Sequence, residues 1–194
     1  MQTPLHEQLE KVATLNELKQ LCEHYLDSEV TTGEKLVFGE GSLQAEMMII
    51  GEAPGVQEAK TGRPFVGNAG KLLNTLLSQI GLKREQIYIS NILKTHPPGN
   101  RKPYRSEIKK ELPFLLRQIE LLQPKLLVLL GATALQTLVN PKAKITELRG
   151  NWIEVKNLPT LVTYHPAAAL RDETRKTALE HDFSKLQQRL AAGI

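Results

Sequence analysis

The chain has 194 residues, of which 41% are hydrophobic and 24% charged, with a formal net charge of +4 and one cysteine. These values predict a soluble protein that forms one domain over residues 1–194, and the mild basicity permits a polyanionic partner without identifying one. No apolar run approaches the ~20 residues of a membrane span, and no signal-peptide pattern opens the chain. A single cysteine cannot form an internal disulfide, which suits a reducing compartment. We therefore expect a cytoplasmic protein that does not contact a membrane.

Hydrophobic residues recur at three- and four-residue spacing over residues 5–26. This spacing predicts an N-terminal helical segment packed on the domain, with Thr14 or Asn16 capping a second helix. Residues 27–45 are polar and are expected to form a connection. The predicted strands are residues 47–50, 86–92, 125–130 and 158–163, and the helices that follow them are residues 71–77, 106–122, 132–138 and 173–190.

Four strand-then-helix units in succession predict an α/β fold. The expected architecture has three layers, α/β/α, with a central four-stranded parallel sheet. Pro113 is expected to kink or break the helix over residues 106–122. The carboxyl ends of the parallel strands would meet at one edge of the sheet, which is where open α/β sheets bind ligands.

The loop after the first strand, residues 51–70, reads GEAPGVQEAKTGRPFVGNAG. Its glycines and prolines are too numerous for a regular element, and the prolines argue against a flexible connection. It lacks the Gly-Lys-Ser/Thr ending of a nucleotide-binding P-loop and the GxGxxG pattern of a dinucleotide site. Glu52, Glu58 and Phe65 lie within it. The loop is therefore either an ordinary connection or part of a site.

Three predicted strand ends carry a polar side chain: Glu52 after the first strand, Asn91 in the second and His165 after the fourth. Each has an ordinary alternative, because Asn91 could cap a turn, His165 could be a hydrogen-bonded loop histidine and Glu52 could face solvent. Their common position at strand ends favours a site at which the three converge.

Four stretches resemble the family 4 uracil-DNA glycosylases of the uracil-DNA glycosylase superfamily. They are GEAPG with GRPFVG in the long loop, YISN followed by PPGNR, LLGATA after the third strand, and TYHPAA after the fourth. The resemblance runs in order from about residue 39 to residue 182. It implies the superfamily's fold and a DNA repair enzyme that hydrolyses the N-glycosidic bond of deoxyuridine in DNA, releasing uracil and leaving an abasic site.

The resemblance also implies roles for individual residues. His165 would donate a hydrogen bond to uracil O2, where negative charge develops as the base leaves. Asn91 would read the edge of the flipped base, and Phe65 would stack on it, although a simple core position for Phe65 stays open.

One carboxylate is expected to orient water or stabilise the sugar cation, but the sequence does not show whether Glu52 or Glu58 has this role. Both are carried as catalytic candidates. The backbone N–H groups around Ala53 and Gly55 are further candidates to bind uracil or the water.

DNA contacts are expected from basic and loop residues near the site. Residues 94–118 hold seven basic side chains against two acidic ones, which concentrates positive charge there. At the position where many relatives carry a wedge leucine stands Ala169, so Leu170 either takes that role or insertion is weak. The predicted DNA-binding residues are Arg101, Lys102, Ala167, Leu170 and Arg171.

The chain departs from family 4 at the positions of its four iron–sulfur cysteines. Cys22 matches the first, but Tyr25, Thr95 and Glu111 stand where the other three belong. Because such clusters need close to four thiolates, we expect no iron–sulfur cluster, no metal and no other cofactor. The alternative ligands for another metal are Cys22, His24 and His96.

Two other functions stay open at this point. A non-catalytic or weakly catalytic protein could bind uracil-containing or single-stranded DNA on the same fold. The related uracil-DNA cross-linking proteins use a histidine in an inserted basic loop, whereas KTHPPGNRKP contains His96 without that insertion. The expected partner is DNA containing uracil, bound by a monomer.

Overall fold

The structure, a computed structural model, describes residues 4–193. Its strands are β1 Glu40–Gly41, β2 Met47–Gly51, β3 Tyr88–Asn91, β4 Leu126–Leu130, β5 Trp152–Val155 and β6 Leu158–Thr163. They form one sheet in the order β1-β3-β2-β4-β6-β5, in which the four inner strands are parallel and both outer strands are antiparallel to their neighbours. The predicted parallel sheet is confirmed.

The two outer strands were not predicted. β1 has only two residues, too few for a recognisable alternation. β5 and β6 form a hairpin through Lys156 and Asn157, whose φ angles of 51° and 62° are those of a tight two-residue turn. Lysine is an unusual residue at such a position, so the turn is not evident from the sequence.

The helices pack on both faces of the sheet. They are α1 Leu5–Lys11, α2 Leu15–Leu26, α3 Val56–Thr61, α4 Asn68–Gln79, α5 Arg105–Leu122, α6 Ala132–Leu138, α7 Ile145–Leu148, α8 Pro166–Ala169 and α9 Glu173–Ala191. Short 3₁₀ turns occur at Asp27–Glu29, Arg84–Gln86 and Pro98–Asn100. Among residues 4–193, no helix combines the length and the apolar character needed to cross a membrane.

Local signals explain where several helices begin and why one continues. Thr14 caps α2 in a reciprocal capping box with Glu17, as one of the two predicted caps. Of the kink or break predicted at Pro113, the break is wrong, because α5 runs through this residue. Phe114 and Leu115, which follow the proline, are fully buried, and their packing outweighs the lost backbone hydrogen bond. The helix α3 lies inside the long loop, where no regular element was expected.

Three apolar clusters hold these layers together. One face of the sheet packs on α4 and α9 through residues such as Leu73 and Phe183, and the other packs on α5 and α6 through residues such as Leu115 and Ala134. The third cluster joins α1 and α2 to the outer side of α5, where Cys22 is fully buried. The predicted α/β/α layers are therefore present, with α1 and α2 added outside α5.

The strand register brings the predicted site residues together. Gly51, the last residue of β2, pairs with Asn91, the last residue of β3. At the end of β6, Thr163 pairs with Leu130 and its carbonyl oxygen accepts a hydrogen bond from the N–H of Gly131. The loops that follow β2, β3, β4 and β6 all leave from this edge, so their first side chains share one opening.

Candidate active site

An open cleft lies at this edge, between the loops that follow β2, β3 and β6. The cleft lining contains every predicted site residue except Lys102 and Leu170. The predicted residues that line it are Glu52, Ala53, Gly55, Glu58, Phe65, Asn91, Arg101, His165, Ala167 and Arg171.

Asn91 is buried at the inner end of the cleft, with 1% of its surface exposed. Its Oδ1 atom has no hydrogen-bond partner among residues 4–193. Leaving a buried acceptor unpaired costs about 1–3 kcal/mol, so this atom is a candidate to bind a ligand. A Cβ atom on Gly51 would collide with this oxygen and lie 2.6 Å from Cζ of Phe65. Glycine at position 51 therefore allows the amide and the aromatic ring to approach each other.

Phe65 is held in a strained conformation beside that amide. Its φ angle is 51°, a region that bulky residues rarely adopt, and its side chain is 5% exposed. Arg84 stabilises this conformation by donating to the carbonyl oxygens of Phe65, at 2.8 Å, and Pro64. The Phe65 ring stacks against the His165 ring, with centroids 5.5 Å apart and planes 28° apart. The loop sequence GRPFVG thus fixes one wall of the cleft.

His165 presents a neutral imidazole. Its Nδ1 atom accepts a hydrogen bond from the N–H of Ala167 at 3.1 Å, so the ring proton lies on Nε2. Burial lowers the pKa of His165 to about 4, because the charged form is desolvated, and Glu58 offsets this only in part. Gly131, at a φ of 90°, lets the backbone approach closely, since a Cβ there would lie 2.9 Å from that of His165. At neutral pH the ring is therefore an uncharged donor.

Glu58 stabilises the long loop. Its carboxylate accepts hydrogen bonds from the N–H groups of Gly55 at 3.1 Å and of Val66 and Gly67, each at 2.8 Å. These three bonds join the start of α3 to the segment that precedes α4. The Gly55 N–H, one of the groups predicted to bind uracil or the water, donates to Glu58, and a role of Gly55 in substrate binding stays a prediction.

Glu52 has a different environment. Its carboxylate accepts one side-chain hydrogen bond, from the hydroxyl of Thr133 near the start of α6. Its carbonyl oxygen accepts from the N–H of Leu93 at 3.0 Å, which extends the pairing of β2 and β3 beyond the strands. Thr133 was not predicted as a site residue. It follows β4 at the same edge as the others, so the strand-end rule could have identified it.

The basic rim of the cleft is partly neutralised. Arg101 forms a two-fold hydrogen-bonded ion pair with Glu107, at 2.6 and 2.9 Å, and its guanidinium lies 3.7 Å from the centre of the Tyr104 ring. Lys102 is exposed outside the cleft lining. Lys94, counted in the basic run, is completely buried and cannot add to the surface charge.

The segment around α8 forms the opposite rim. The backbone N–H of Ala167, one of the predicted DNA-binding residues, donates to Nδ1 of His165, and a DNA contact by this residue stays a prediction. Ala169 is 2% exposed and packs in the core, whereas Leu170 is 50% exposed. Of the two positions considered for a wedge, only Leu170 is on the surface. Arg171 is exposed and lines the cleft.

The family model of the uracil DNA glycosylase superfamily matches residues 38–190. The chain belongs to the uracil-DNA glycosylase superfamily. It is similar to the Type-4 uracil-DNA glycosylase of Sulfurisphaera tokodaii, with 43% identity over 77% of this chain and 72% of that one. The Thermotoga maritima protein of the same name is 45% identical over 75% and 78% of the two chains, and that of Archaeoglobus fulgidus 40% identical over 80% and 82%.

In this superfamily member, the residues at the expected cluster positions do not fit an iron–sulfur cluster. Burial raises the pKa of Cys22 to about 12, which keeps it a neutral thiol. The Tyr25 ring packs against Phe114, with centroids 5.7 Å apart. Thr95 and Glu111 bind each other, the hydroxyl donating to the carboxylate at 2.5 Å. Neither side chain is therefore available to iron as the structure stands.

The alternative metal site and the cross-linking histidine depend on His96. Its Nδ1 atom lies 2.9 Å from a carboxylate oxygen of Glu34, and its Nε2 atom lies 3.0 Å from the side-chain oxygen of Asn100. The His96 side chain is only 6% exposed. Among residues 4–193, no group of three or more His, Cys, Asp or Glu side chains is arranged to hold a metal ion, so Cys22, His24 and His96 do not form one.

Proposed function

We propose that this protein is a uracil-DNA glycosylase, a monofunctional enzyme of DNA repair. It hydrolyses the N-glycosidic bond of deoxyuridine in DNA, releases uracil and leaves an abasic site. The observation that carries this proposal is the buried Oδ1 atom of Asn91, which has no hydrogen-bond partner in the described part of the chain. It lies at the inner end of a cleft that also contains Phe65 and a neutral His165. The superfamily membership and the relatives named Type-4 uracil-DNA glycosylase support the same activity.

Base recognition follows from the amide of Asn91. Its Oδ1 accepts from N3–H of a flipped uracil, and its Nδ2 donates to O4. Cytosine has an acceptor at N3 and a donor at N4, so both pairs would be mismatched in a buried site. Such unpaired groups discriminate strongly between substrates. Stacking on Phe65 adds about 1–3 kcal/mol for any base and so contributes affinity rather than selectivity.

His165 stabilises the leaving base. As the glycosidic bond breaks, negative charge accumulates on uracil O2, and the Nε2–H group donates to that oxygen. Because the oxygen is more negative in the transition state than in the bound substrate, the hydrogen bond strengthens as the reaction proceeds. The bond from the Ala167 N–H fixes the tautomer, so the donor is in place before the base leaves.

Glu52 is the carboxylate that acts on the sugar and the water. Glu58 already accepts three backbone hydrogen bonds, so its role is to hold the loop. Glu52 accepts one side-chain hydrogen bond, from Thr133, and can accept another from water. It orients the attacking water and stabilises the positive charge of an oxocarbenium-like transition state. The backbone N–H of Ala53, at the same loop, is a second donor for water or uracil O2.

DNA binds across the rim of the cleft. Arg101, Lys102 and Arg171 contact phosphates, and the exposed Leu170 enters the space left by the flipped nucleotide. We propose that the protein acts as a monomer on uracil-containing DNA in the cytoplasm. We also propose that it works without an iron–sulfur cluster or another cofactor, because Thr95 and Glu111, at two of the four cluster positions, bind each other.

The test is a single-turnover excision assay. An end-labelled oligonucleotide with one uracil is offered as a single strand and as a U·G duplex, and hot alkali then cleaves any abasic site. The matched control oligonucleotide carries thymine at that position. We expect cleavage of the uracil substrates only. If the folded protein binds uracil-containing DNA but leaves both substrates intact, it is a binding protein and the proposed activity is wrong.

A further inference from the structure

Two charged residues are buried outside the cleft, on the far side of its base-reading strand. Lys94, three residues after β3, is 0% exposed, and Glu111 of α5 is 2% exposed. Neither residue lines the cleft. Burying a charge costs free energy unless hydrogen bonds replace the lost hydration. The hydrogen-bond partners of these two residues therefore indicate their role.

Glu111 binds the backbone just after β3. One carboxylate oxygen accepts from the N–H of Lys94 and, at 3.1 Å, from the N–H of Thr95. The other oxygen accepts from the Thr95 hydroxyl at 2.5 Å. Hydrogen bonds from several donors stabilise a carboxylate in a buried place. Through Glu111, α5 holds the chain in a fixed position immediately after the strand that ends at Asn91.

Lys94 extends this network to Asn91 itself. Its ammonium group donates to three oxygens: Ser90 Oγ at 2.6 Å, the Asn91 carbonyl at 2.8 Å and Gln118 Oε1 at 2.7 Å. Ser90 and Gln118 both donate to the carbonyl oxygen of Phe38, at 3.1 and 2.8 Å. All three donors of the ammonium are therefore used, and one of them fixes the peptide plane that follows Asn91.

We propose that Lys94 and Glu111 are positioning residues for Asn91, and that their network occupies the place where family 4 relatives are expected to hold an iron–sulfur cluster. This inference rests on the proposed function of Asn91. Thr95 and Glu111 stand at two of the cluster positions, and in this chain they bind each other and the backbone. Within residues 4–193, Oδ1 of Asn91 has no hydrogen-bond partner, so the placement of this amide depends on the backbone that Lys94 and Glu111 hold.

A double-mutant cycle tests this inference. Lys94→Met keeps a long buried side chain but removes the ammonium donors. The variants Lys94→Met, Asn91→Ala and the double variant are compared with the wild type by single-turnover excision, at saturating protein and at a temperature where circular dichroism shows each to be folded. Lys109→Met, on the exposed side of α5, removes the same charge and is the matched control.

We expect Lys94→Met to reduce the excision rate about tenfold in the wild type but less than about twofold in the Asn91→Ala background, which is the non-additivity of residues that act through one another. Lys109→Met should have no effect in either background. Equal losses in both backgrounds, or no loss in the wild type, would overturn the proposal. If Lys94→Met does not fold, Glu111→Gln in the same two backgrounds gives the same comparison.

A second measurement separates this inference from the proposed activity. The side-chain amide resonances of Asn91 are assigned in a ¹⁵N spectrum by their loss in Asn91→Ala. We expect them to shift or broaden in Lys94→Met and to stay unchanged in Lys109→Met. This outcome does not require that the protein excise uracil. Unchanged Asn91 resonances in a folded Lys94→Met variant would show that Lys94 does not position the amide, whatever the activity of the wild type.

Discussion

Buried polar groups on the two sides of β3 differ in their hydrogen bonding. On the cleft side, Oδ1 of Asn91 is buried without a partner among residues 4–193. On the α5 side, Lys94 and Glu111 are equally buried, but several oxygens and N–H groups bind them. A buried polar atom without a hydrogen bond destabilises the fold unless a ligand or another group pairs with it. A network in which every donor and acceptor is paired needs no further partner. Recognition therefore lies on the cleft side of β3, and structural support lies on its α5 side.

The largest expected effect on the cleft side comes from His165→Ala. Removing one preorganised donor to a developing oxyanion typically reduces the rate ~10²–10³-fold, and we expect that loss in single-turnover excision. Affinity for DNA should change little, because the phosphate contacts lie elsewhere on the rim. The check is an excision time course beside a binding titration at the same salt concentration. Equal losses in rate and affinity would mean that His165 only shapes its loop.

A smaller loss is expected from Asn91→Asp. An ionised aspartate cannot donate to uracil O4, so uracil excision should fall at least about tenfold, the equivalent of one lost hydrogen bond. A protonated aspartate can instead pair with cytosine, so discrimination against cytosine should weaken. Matched oligonucleotides carrying uracil or cytosine measure both changes. If the variant excises uracil at the wild-type rate, Asn91 does not read the base.

The carboxylates of Glu52 and Glu58 are expected to differ in the same way, one acting in the reaction and the other stabilising the fold. In Glu58→Gln, an amide N–H₂ would face backbone N–H groups, so we expect a loss of about 1–3 kcal/mol in the free energy of unfolding. Glu52→Gln should leave that free energy almost unchanged and reduce the excision rate instead. Urea unfolding and single-turnover assays on both variants test this assignment. The reverse pattern would make Glu58 the catalytic carboxylate.

The smallest expected effect is in the pH dependence of His165. Because its pKa in the folded protein is about 4, below the ordinary 6.5, the ring stays neutral throughout the range around pH 6.5. The excision rate should therefore be flat from about pH 5.5 to 7.5 and show no midpoint near the ordinary histidine pKa. The unfolded state binds the proton first, so the stability contributed by neutral His165 is present above pH 6.5 and is lost as the pH falls towards 4. An acid midpoint near 6.5 in the rate of folded protein would contradict this description of the ring.

The sequence was sufficient to predict the four parallel strands and the place where Glu52, Asn91 and His165 meet. Long apolar runs specify buried strands, and the strand-end rule then places their neighbours at one edge. It was not sufficient to separate Glu52 from Glu58, because that distinction depends on backbone N–H groups that only the folded loop brings together. For the same reason, the burial of Lys94 could not be predicted from the sequence.

Two other features of the site that were not predicted also depend on hydrogen bonds formed only in the folded chain. The helix α3 forms inside a loop rich in glycine and proline because Glu58 fixes its first turn. The N–H of Ala167 donates to Nδ1 of His165, because the His165 side chain caps the first turn of α8. Tertiary hydrogen bonds of this kind leave no periodic pattern in a sequence.

Uracil excision without an iron–sulfur cluster is tested by measuring uracil release and iron content in the same protein sample. We predict that protein without stoichiometric iron, and without the absorbance near ~400 nm of thiolate-ligated clusters, releases uracil from a single strand and from a U·G duplex with no added metal. A folded sample that leaves both substrates intact, or an excision rate that rises in proportion to bound iron, would contradict it.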